Sequence, residues 1–301
     1  MKKIILAATL ALLPVLAFAQ APAPAIVVLG GQMPQIMARA AADQAAKPTP
    51  VQHETIIGAP PYSLVLERRV GVAPAALHPA HAELMIILEG SGTLTTGGTM
   101  VGAGALSGST INGTGVSGGA DQPISKGDFI LVPEGTPHSI LPDGGAPLQL
   151  ASLLIPHAAG APSSAGGGRG APKLVTHAAD LPDMIAKAKA AVPGSARFFG
   201  GDTLLSLGSI RVGLEYRSPK GIASVHKNDG EFMYVIRGEG HIPSGGVVVN
   251  PKDTGANIDG DAMEGATDHL MRAGDFIFVP KGLPHAAISD GEFVLATLHV
   301  Q

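Results

Sequence analysis

The chain has 301 residues, a formal net charge of −4 at pH 7, 41 glycines and no cysteine. The length allows two ordinary domains and the glycine content is typical of turn-rich β proteins, whereas the charge gives no electrostatic reason to bind nucleic acid or an anionic membrane. The absence of cysteine excludes disulfides and a lipid-modified N-terminal cysteine. Tryptophan is absent and there are only 3 tyrosines, which argues against aromatic platforms for sugars.

The first residues predict a secretory signal peptide. Two lysines precede an apolar stretch at residues 4–17, and residues 17–19 (AFA) form a small-residue cleavage site. The stretch is shorter than the roughly 20 residues that span a bilayer, and Pro14 interrupts it, which argues against a membrane anchor. We therefore predict cleavage after Ala19 and a periplasmic or secreted protein without membrane contact.

Two helical segments are predicted, one ahead of each half of the chain. Residues 33–46 are rich in alanine and end before two prolines. Residues 180–192 begin with Asp180 as the predicted N-cap and end at a Pro-Gly pair. Between the halves, residues 158–172 have the Gly, Pro and Ser content of a linker and no apolar periodicity.

Four apolar runs predict strands, in two equivalent pairs. They are residues 84–88 and 129–132 in the first half, and residues 232–236 and 276–279 in the second. Apolar residues occupy both faces of each run and turn signals bracket it, which favours a strand buried on both sides over a helix.

A set of two histidines and one glutamate occurs twice at a nearly constant offset. The equivalent positions are 148 residues apart for the first histidine and the glutamate and 147 for the last histidine, and turn glycines and a proline repeat with them. Two imidazoles and one carboxylate form a ligand set of divalent transition metals. The predicted metal ligands are His78, Glu83 and His138 in the first half, and His226, Glu231 and His285 in the second.

The segments that carry these residues resemble the two sequence motifs of the cupin family. In HPAHAELMIILEG six residues separate Glu83 from Gly90, and in GDFILVPEGTPH five separate Gly127 from Pro133. The segments HKNDGEFMYVIRG and GDFIFVPKGLPH repeat these spacings in the second half. The chain thus resembles germins and their bacterial relatives. This resemblance implies an all-β bicupin: two tandem double-stranded β-helix (cupin or jelly-roll) barrels, each preceded by a short helix.

This resemblance divides the chain into five parts. They are the signal peptide (1–19), an N-terminal arm with a helix (20–50), a first barrel (51–157), the linker (158–172) and a helix with a second barrel (173–301). Because the strands are apolar on both faces, we predict that the barrels pack on each other with internal pseudo-symmetry, and a homodimer would bury apolar surface in the same way.

Inward side chains of a small barrel converge on its axis, so the predicted ligands can meet there. We expect His78 and Glu83 on one strand with an irregular turn between them, and His138 on a strand after a tight Pro-x-Gly turn. Ala76 and Ser224 stand where the cupin pattern has its first histidine, which leaves three matched ligands in each half. Such a triad leaves coordination positions open for water, oxygen or substrate.

Other polar residues are predicted to lie outside the metal sites. His81 is the one further candidate for a catalytic group, but its counterpart is Asp229, so we place it at the pocket rim. The repeated pairs Glu67–Arg69 and Glu215–Arg217 are predicted to be exposed ion pairs. Histidines without a repeated partner are predicted to be ordinary polar or surface residues: His53, His157, His177, His241, His269 and His299.

Two functions remain open at this point. The resemblance implies oxygenase, oxidase, decarboxylase or isomerase chemistry on a small organic substrate, at Fe(II) or Mn(II), with Ni(II) or Zn(II) as alternatives. The other function is that of a non-catalytic periplasmic protein that binds a small molecule or uses the metal as a structural clip. Leu84 and Ile86 correspond to Phe232 and Tyr234, so the two pockets are predicted to differ.

Overall fold

The structure is a computed structural model that describes residues 23–156 and 171–301. The predicted signal peptide, His157 and the predicted linker up to residue 170 lie outside the described residues. In the part of the chain that is described, no helix is long and apolar enough to cross a membrane.

The first half combines one α-helix with many short strands. They are β1 (Ile26–Val28), α1 (Met33–Ala46), β2 (Val51–Ala59), β3 (Tyr62–Arg69), β4 (Ala75–Leu77), β5 (His81–Glu89), β6 (Ser91–Thr96), β7 (Thr99–Val101), β8 (Leu106–Ser107), β9 (Thr110–Gly113), β10 (Gly115–Ser117), β11 (Ala120–Ser125), β12 (Phe129–Val132), β13 (His138–Pro142) and β14 (Leu148–Pro156). Single-turn 3-10 helices occupy Gly30–Gln32 and Asp143–Gly145.

The second half repeats this order. Its elements are β15 (Val175–Thr176), α2 (Leu181–Ala191), β16 (Phe199–Leu207), β17 (Ile210–Arg217), β18 (Ala223–His226), β19 (Gly230–His241), β20 (Val247–Val249), β21 (Lys252–Asp253), β22 (Asn257–Gly260), β23 (Ala262–Glu264), β24 (Leu270–Arg272), β25 (Phe276–Val279) and β26 (Phe293–Val300). Further 3-10 turns, Ala178–Asp180 and Val192–Gly194, flank α2. Both predicted helices are present, and Asp180 is the N-cap residue of α2, although its carboxylate accepts the His177 N–H (3.1 Å) instead of capping the helix.

Each half forms a β barrel around one large antiparallel sheet, and the two sheets have the same order. The first is β15-β12-β5-β14-β3-β2 and the second is β1-β25-β19-β26-β17-β16. The opposite wall of the first barrel is the sheet β11-β6-β13-β4-β9-β8. The predicted all-β fold of two tandem barrels, each with a helix ahead of it, is confirmed.

The two large sheets exchange edge strands. Strand β1, which precedes the first barrel, pairs Val27 with Ile277 on β25 of the second barrel. Strand β15, which precedes the second barrel, pairs Thr176 with Phe129 on β12 of the first. Each barrel therefore has its sheet edge covered by a strand from the other half.

Alternation along the central strands divides the apolar residues between two kinds of core. On β5, Leu84 and Ile86 join a core shared by both halves, whereas Met85 and Ile87 fill the inside of the first barrel. Successive strand residues face opposite sides of a sheet, so an unbroken apolar run serves both cores. The predicted packing of the halves on each other is confirmed.

The same alternation corrects one prediction about the pockets. Phe232 belongs to the shared core, Tyr234 packs against it, and their rings meet Tyr62 and Phe129 of the first half at centroid distances of 6.2 and 6.3 Å. The aromatic side chains on β19 therefore lie between the barrels. The prediction that they give the second pocket a different lining is wrong.

Candidate metal centres

The predicted ligands of the first half meet inside the first barrel. His78 follows β4 directly and Glu83 lies on β5, while His138 begins β13. The expectation of a single strand for His78 and Glu83 is wrong, because residues 79–80 turn a corner between two sheets. Since Leu84 faces the shared core, its neighbour Glu83 must face the barrel interior.

A tight turn holds the first histidine beside the last. Gly135 has φ of +68°, a conformation that favours glycine, and its N–H donates to the carbonyl of His78 at 2.8 Å. In the second barrel Gly282, with φ of +80°, donates to the carbonyl of His226 at the same distance. The predicted Pro-x-Gly turns thus fix the position of the first ligand in each barrel.

The three side chains of the first barrel converge on one carboxylate oxygen. His78 Nε2 lies 3.2 Å from Glu83 Oε2, and His138 Nε2 lies 3.0 Å from the same atom. The possible ligand atoms of all three residues lie within 4.8 Å of one another. The residues are 8, 2 and 1% exposed in chain order, so the cluster is closed off from solvent.

Backbone and side-chain acceptors orient both imidazoles of this cluster. His138 Nδ1 lies 3.0 Å from the carbonyl of Thr136, and His78 Nδ1 lies 3.3 Å from the carbonyl of Ser109 and 3.1 Å from Thr110 Oγ1. A carbonyl can only accept, so each Nδ1 carries a proton and Nε2 is the ring atom that can bind a ligand when it is deprotonated. The glycine-rich segment between the two cupin-like motifs thus supplies partners for His78.

The second barrel repeats this arrangement. His226 and His285 place Nε2 at 3.3 and 3.0 Å from Glu231 Oε2. His226 Nδ1 lies 3.0 Å from Asn257 Oδ1, and His285 Nδ1 lies 3.2 Å from the carbonyl of Leu283. Asn257 corresponds to Thr110 of the first barrel, because the two are 147 residues apart.

A further histidine joins the second cluster, contrary to the prediction that it is an ordinary surface residue. His299 Nε2 lies 3.7 Å from Glu231 Oε1, and its ring centroid is 4.5 Å from that of His226. His226, Glu231 and His299 form a group whose possible ligand atoms all lie within 4.8 Å of one another. The repeat could not indicate this residue, because the position opposite Glu83 in the first barrel is Leu154.

One contact of the first cluster fits a metal ion better than it fits a hydrogen bond, whereas the other three contacts between a histidine Nε2 and a glutamate oxygen are hydrogen bonds. His138 Nε2 is buried and has no hydrogen-bond partner in the described chain, since its 3.0 Å approach to Glu83 lacks hydrogen-bond geometry. Two ligand atoms that each lie about 2.1 Å from the same ion, with a right angle between the two bonds, are about 3.0 Å apart. The distances from histidine Nε2 to glutamate Oε2 in both clusters are 3.0 to 3.3 Å, so the residues present suit a divalent transition metal.

The electrostatics of the clusters keep the carboxylates ionised. Burial raises the pKa of Glu83, but contacts with His138 and His78 lower it by more than burial raises it. The pKa of Glu83 is therefore well below its usual range. The pKa of Glu231 is lowered in the same way by His226 and His285 against the effect of burial. An ionised carboxylate is the form that binds a metal.

His81 lies near the first cluster without joining it. It begins β5, and its buried Nδ1 has no hydrogen-bond partner in the described chain. Burial lowers the pKa of the His81 imidazole, which favours its neutral form. His81 is therefore a neutral imidazole beside the cluster, and its role at the pocket rim stays a prediction.

The repeated acid–base pairs are not exposed, so that prediction is wrong. Glu67 and Arg69 are 7 and 6% exposed, and the Arg69 guanidinium donates from Nε and Nη2 to Glu67 Oε2 at 2.9 and 2.6 Å. The physical reason is the strand period: Leu64 and Leu66 of β3 face the shared core, so Glu67 and Arg69 face the barrel interior.

The remaining described histidines contact polar groups away from the two clusters. His53 lies 3.5 Å from Glu67, His177 lies 3.1 Å from Asp128, His241 lies 2.6 Å from Asp268, and His269 lies 3.0 Å from Ser244. They match the predicted role of ordinary polar residues.

Comparison with known proteins agrees with the fold. Residues 69–202 match the model of the AraC-like ligand binding domain. No curated protein sequence is significantly similar to the chain. Salicylate 1,2-dioxygenase from Pseudaminobacter salicylatoxidans is 12% identical with a TM-score of 0.62, over 95% of this chain and 86% of that one. A cupin 2 conserved barrel domain protein from Leptotrichia buccalis is 12% identical with a TM-score of 0.50, over 83% of this chain and 89% of that one.

The likeness to the cupin barrel protein and to the dioxygenase is one of fold, and the alignment with the dioxygenase covers both halves of this chain. By fold, the protein is therefore a bicupin. A structure of the same dioxygenase in adducts with gentisate has a TM-score of 0.63 at 12% identity, over 95% of this chain and 83% of that one.

Proposed function

We propose that each barrel binds one divalent transition-metal ion and that the protein is an exported metal-dependent enzyme acting on a small organic substrate. The observation that carries the proposal is the buried, unpartnered Nε2 of His138 facing the ionised carboxylate of Glu83. A buried polar atom without a partner costs about 1–3 kcal/mol, and coordination of an ion would remove that cost.

The donor set favours particular ions. Two imidazoles and one carboxylate match the triad of non-haem iron enzymes, so Fe(II) comes first, with Mn(II) beside it and Ni(II) or Zn(II) as alternatives. Such an ion would supply a Lewis-acid centre with open positions for oxygen ligands. The chain's part is to hold each imidazole by its Nδ1 proton, to keep the glutamate ionised and to exclude bulk water from the barrel.

The two barrels suit different parts of this function. The first cluster is buried, with His78, Glu83 and His138 at 8, 2 and 1% exposure, which suits an ion that stabilises the fold. The second borders a cavity lined by His226, Glu231, His285 and His299, so a substrate has access to it. We therefore place the reaction in the second barrel, and its fold relatives support oxygenase or oxidase chemistry ahead of decarboxylase or isomerase chemistry.

The burial of the first cluster also supports a second candidate function. If both ions are structural, the protein is a non-catalytic periplasmic bicupin that binds a small molecule in the cavity. Oxygen uptake and carbon dioxide release by the Fe(II)- and Mn(II)-loaded protein, with phenolic, dicarboxylate and sugar-acid substrates, separate the two candidates. Turnover supports the enzyme, and ligand binding without turnover supports the binding protein.

Metal content tests the proposed sites directly. Elemental analysis of the purified protein should find two ions per chain, and His138→Ala and His285→Ala should each retain one. His241→Ala is the matched control, since His241 is exposed and outside both clusters, and should retain two. A full complement of metal in both site variants would show that the ligands are assigned wrongly.

We also propose a domain organisation and a location for the protein. Residues 51–157 form the first barrel, residues 173–301 contain the second, and residues 1–19 are a signal peptide that directs the protein to the periplasm or to secretion. A homodimer remains a prediction, which sedimentation of the purified protein would test.

A further inference from the structure

The cavity beside the second metal cluster is small and adjoins a much larger one. The inner cavity, which the histidine cluster lines, has a volume of about 70 Å³. The outer cavity, which Phe198, Met263 and Ile288 line, has a volume of about 670 Å³ and is partly open to solvent. Ile222 and Ala286 line both cavities, so these two residues form the boundary between them.

The wall between the two cavities is thin. Arg197 and Phe199 line the inner cavity, whereas Phe198 lines the outer one. On the segment that enters β18, Ser224 lines the inner cavity and Ala223 lines the outer one. Successive residues of an extended chain face opposite sides, so a single layer of backbone separates the cavities. A molecule in the outer cavity is therefore close to the metal cluster.

Phe198 has the geometry of a residue at a ligand-binding site. Its φ is +61°, a conformation that bulky residues rarely adopt, and its residue surface is 39% exposed. Strained backbone of this kind concentrates at functional sites. The ring thus offers an aromatic surface at the outer cavity.

Most of the outer cavity is lined by apolar residues. Ile222, Met263 and Ile288 are partly buried, and Ala223 and Ala286 are buried. Binding cavities for small organic molecules are also lined mainly by apolar and aromatic side chains. This lining favours the apolar part of a ligand.

The charged residues of the outer cavity are exposed and have partners on the protein. Asp261 accepts a hydrogen bond from Asn250 Nδ2 at 2.9 Å, and Asp268 lies 2.6 Å from His241 Nδ1. The Lys220 ammonium lies 5.9 Å from the centroid of the Phe198 ring. These contacts leave the apolar surface as the main feature that a ligand would meet.

The two volumes divide the ligand into two parts. A cavity of about 150 Å³ holds benzene, so the inner cavity of about 70 Å³ has room for a small group only. Small organic molecules occupy cavities of about 300–1,000 Å³, and the outer cavity of about 670 Å³ is within this range.

We infer that the second barrel takes an elongated molecule, with a small oxygen-bearing group at the metal cluster and an apolar body in the outer cavity. The molecule passes the boundary at Ile222 and Ala286, so these residues help to select the substrate. This inference rests on the proposed function, because the metal ion binds the oxygen-bearing group.

Two hydroxamates of different tail length test the inference on the Zn(II)-loaded protein. Acetohydroxamate and octanohydroxamate carry the same metal-binding oxygens, and the second has an apolar tail. Each buried methylene strengthens binding about four-fold, so octanohydroxamate should bind at least about ten-fold more tightly. Isothermal titration calorimetry measures both affinities. His285→Ala, which should lose the second ion, identifies any binding at the first.

A matched pair of variants locates the tail. Met263→Asp places a charge in the outer cavity and should remove most of the gain in affinity, while acetohydroxamate binds as to wild type. Val247→Asp is the control, because Val247 is 68% exposed and lies on the paired strand, next to the Val248 partner of Met263 and therefore on the opposite face. It should keep the full gain.

The outcomes separate this inference from the proposed function. Zn(II) content and thermal unfolding are measured on every variant, so loss of fold or metal is recognised directly. Equal affinities of the two hydroxamates for wild type with normal Zn(II) content, or an undiminished gain in Met263→Asp, would overturn the outer-cavity site alone. Failure of the wild type to take up Zn(II), or to bind either hydroxamate, would overturn the proposed function and the inference with it.

Discussion

His299 and Leu154 occupy the same position in the two barrels. His299 on β26 is the cross-strand partner of Glu231, and Leu154 on β14 is the cross-strand partner of Glu83. Residues paired in this way share one face of the sheet, so both side chains are directed toward the metal cluster of their barrel. The two clusters are therefore chemically different although the predicted ligands are the same.

This difference predicts unequal metal affinities. His299→Leu should weaken metal binding by the second site at least about ten-fold, since loss of an outer-shell partner alone has that effect. Leu154→His should strengthen binding by the first site. Competition with a chromophoric chelator measures both affinities, and equal affinities in wild type and His299→Leu would exclude His299 as a ligand.

The Nδ1 partners predict a second asymmetry. Asn257→Leu removes the acceptor for His226 Nδ1, so metal affinity at the second site should fall about ten-fold or more. Thr110→Val should have a smaller effect, because the Ser109 carbonyl still accepts from His78. The same chelator competition measures both variants, and a larger loss in Thr110→Val would contradict the hydrogen bonds described above.

Alanine substitutions at two turn glycines should lower the stability of the fold by very different amounts. At Gly135 a Cβ would meet nothing within 4 Å, so Gly135→Ala should cost only the about 1–2 kcal/mol of a left-handed conformation and lower the Tm by a few degrees. At Gly238 a Cβ would lie 1.7 Å from the carbonyl oxygen of Glu292, so Gly238→Ala should prevent folding of the second barrel. Thermal unfolding measures both; similar Tm values would contradict the close approach at Gly238.

His53 predicts a pH-dependent contribution to stability. A hydrogen bond to Glu67 raises its pKa, while burial and Arg69 oppose this rise. Because the folded pKa lies above the unfolded one, the contribution is complete below about pH 6.5 and is lost as the pH rises through the folded value. The Tm of the wild type should therefore exceed that of His53→Gln at about pH 5.5, and the difference should shrink by about pH 9. A difference that grows with pH would contradict the sign.

Sequence alone predicted the architecture, and it named six residues that the structure brings together inside the two barrels. Their role as metal ligands stays a prediction. The duplication predicted two equivalent halves. The unbroken apolar runs at residues 84–88 and 232–236 indicated strands buried on both faces, and the positions of the Pro-x-Gly turns were predicted correctly. These features depend on local spacing and on periodicity, which a sequence displays directly.

Tertiary structure decided what depends on cross-strand register. It placed His299 beside Glu231, turned Glu67 and Arg69 inward, and moved Phe232 from a pocket to the contact between the barrels. It also exchanged β1 and β15 between the halves. The physical reason is that a shift of one residue in register moves a side chain to the opposite face, and register is set by partner strands far away in the chain.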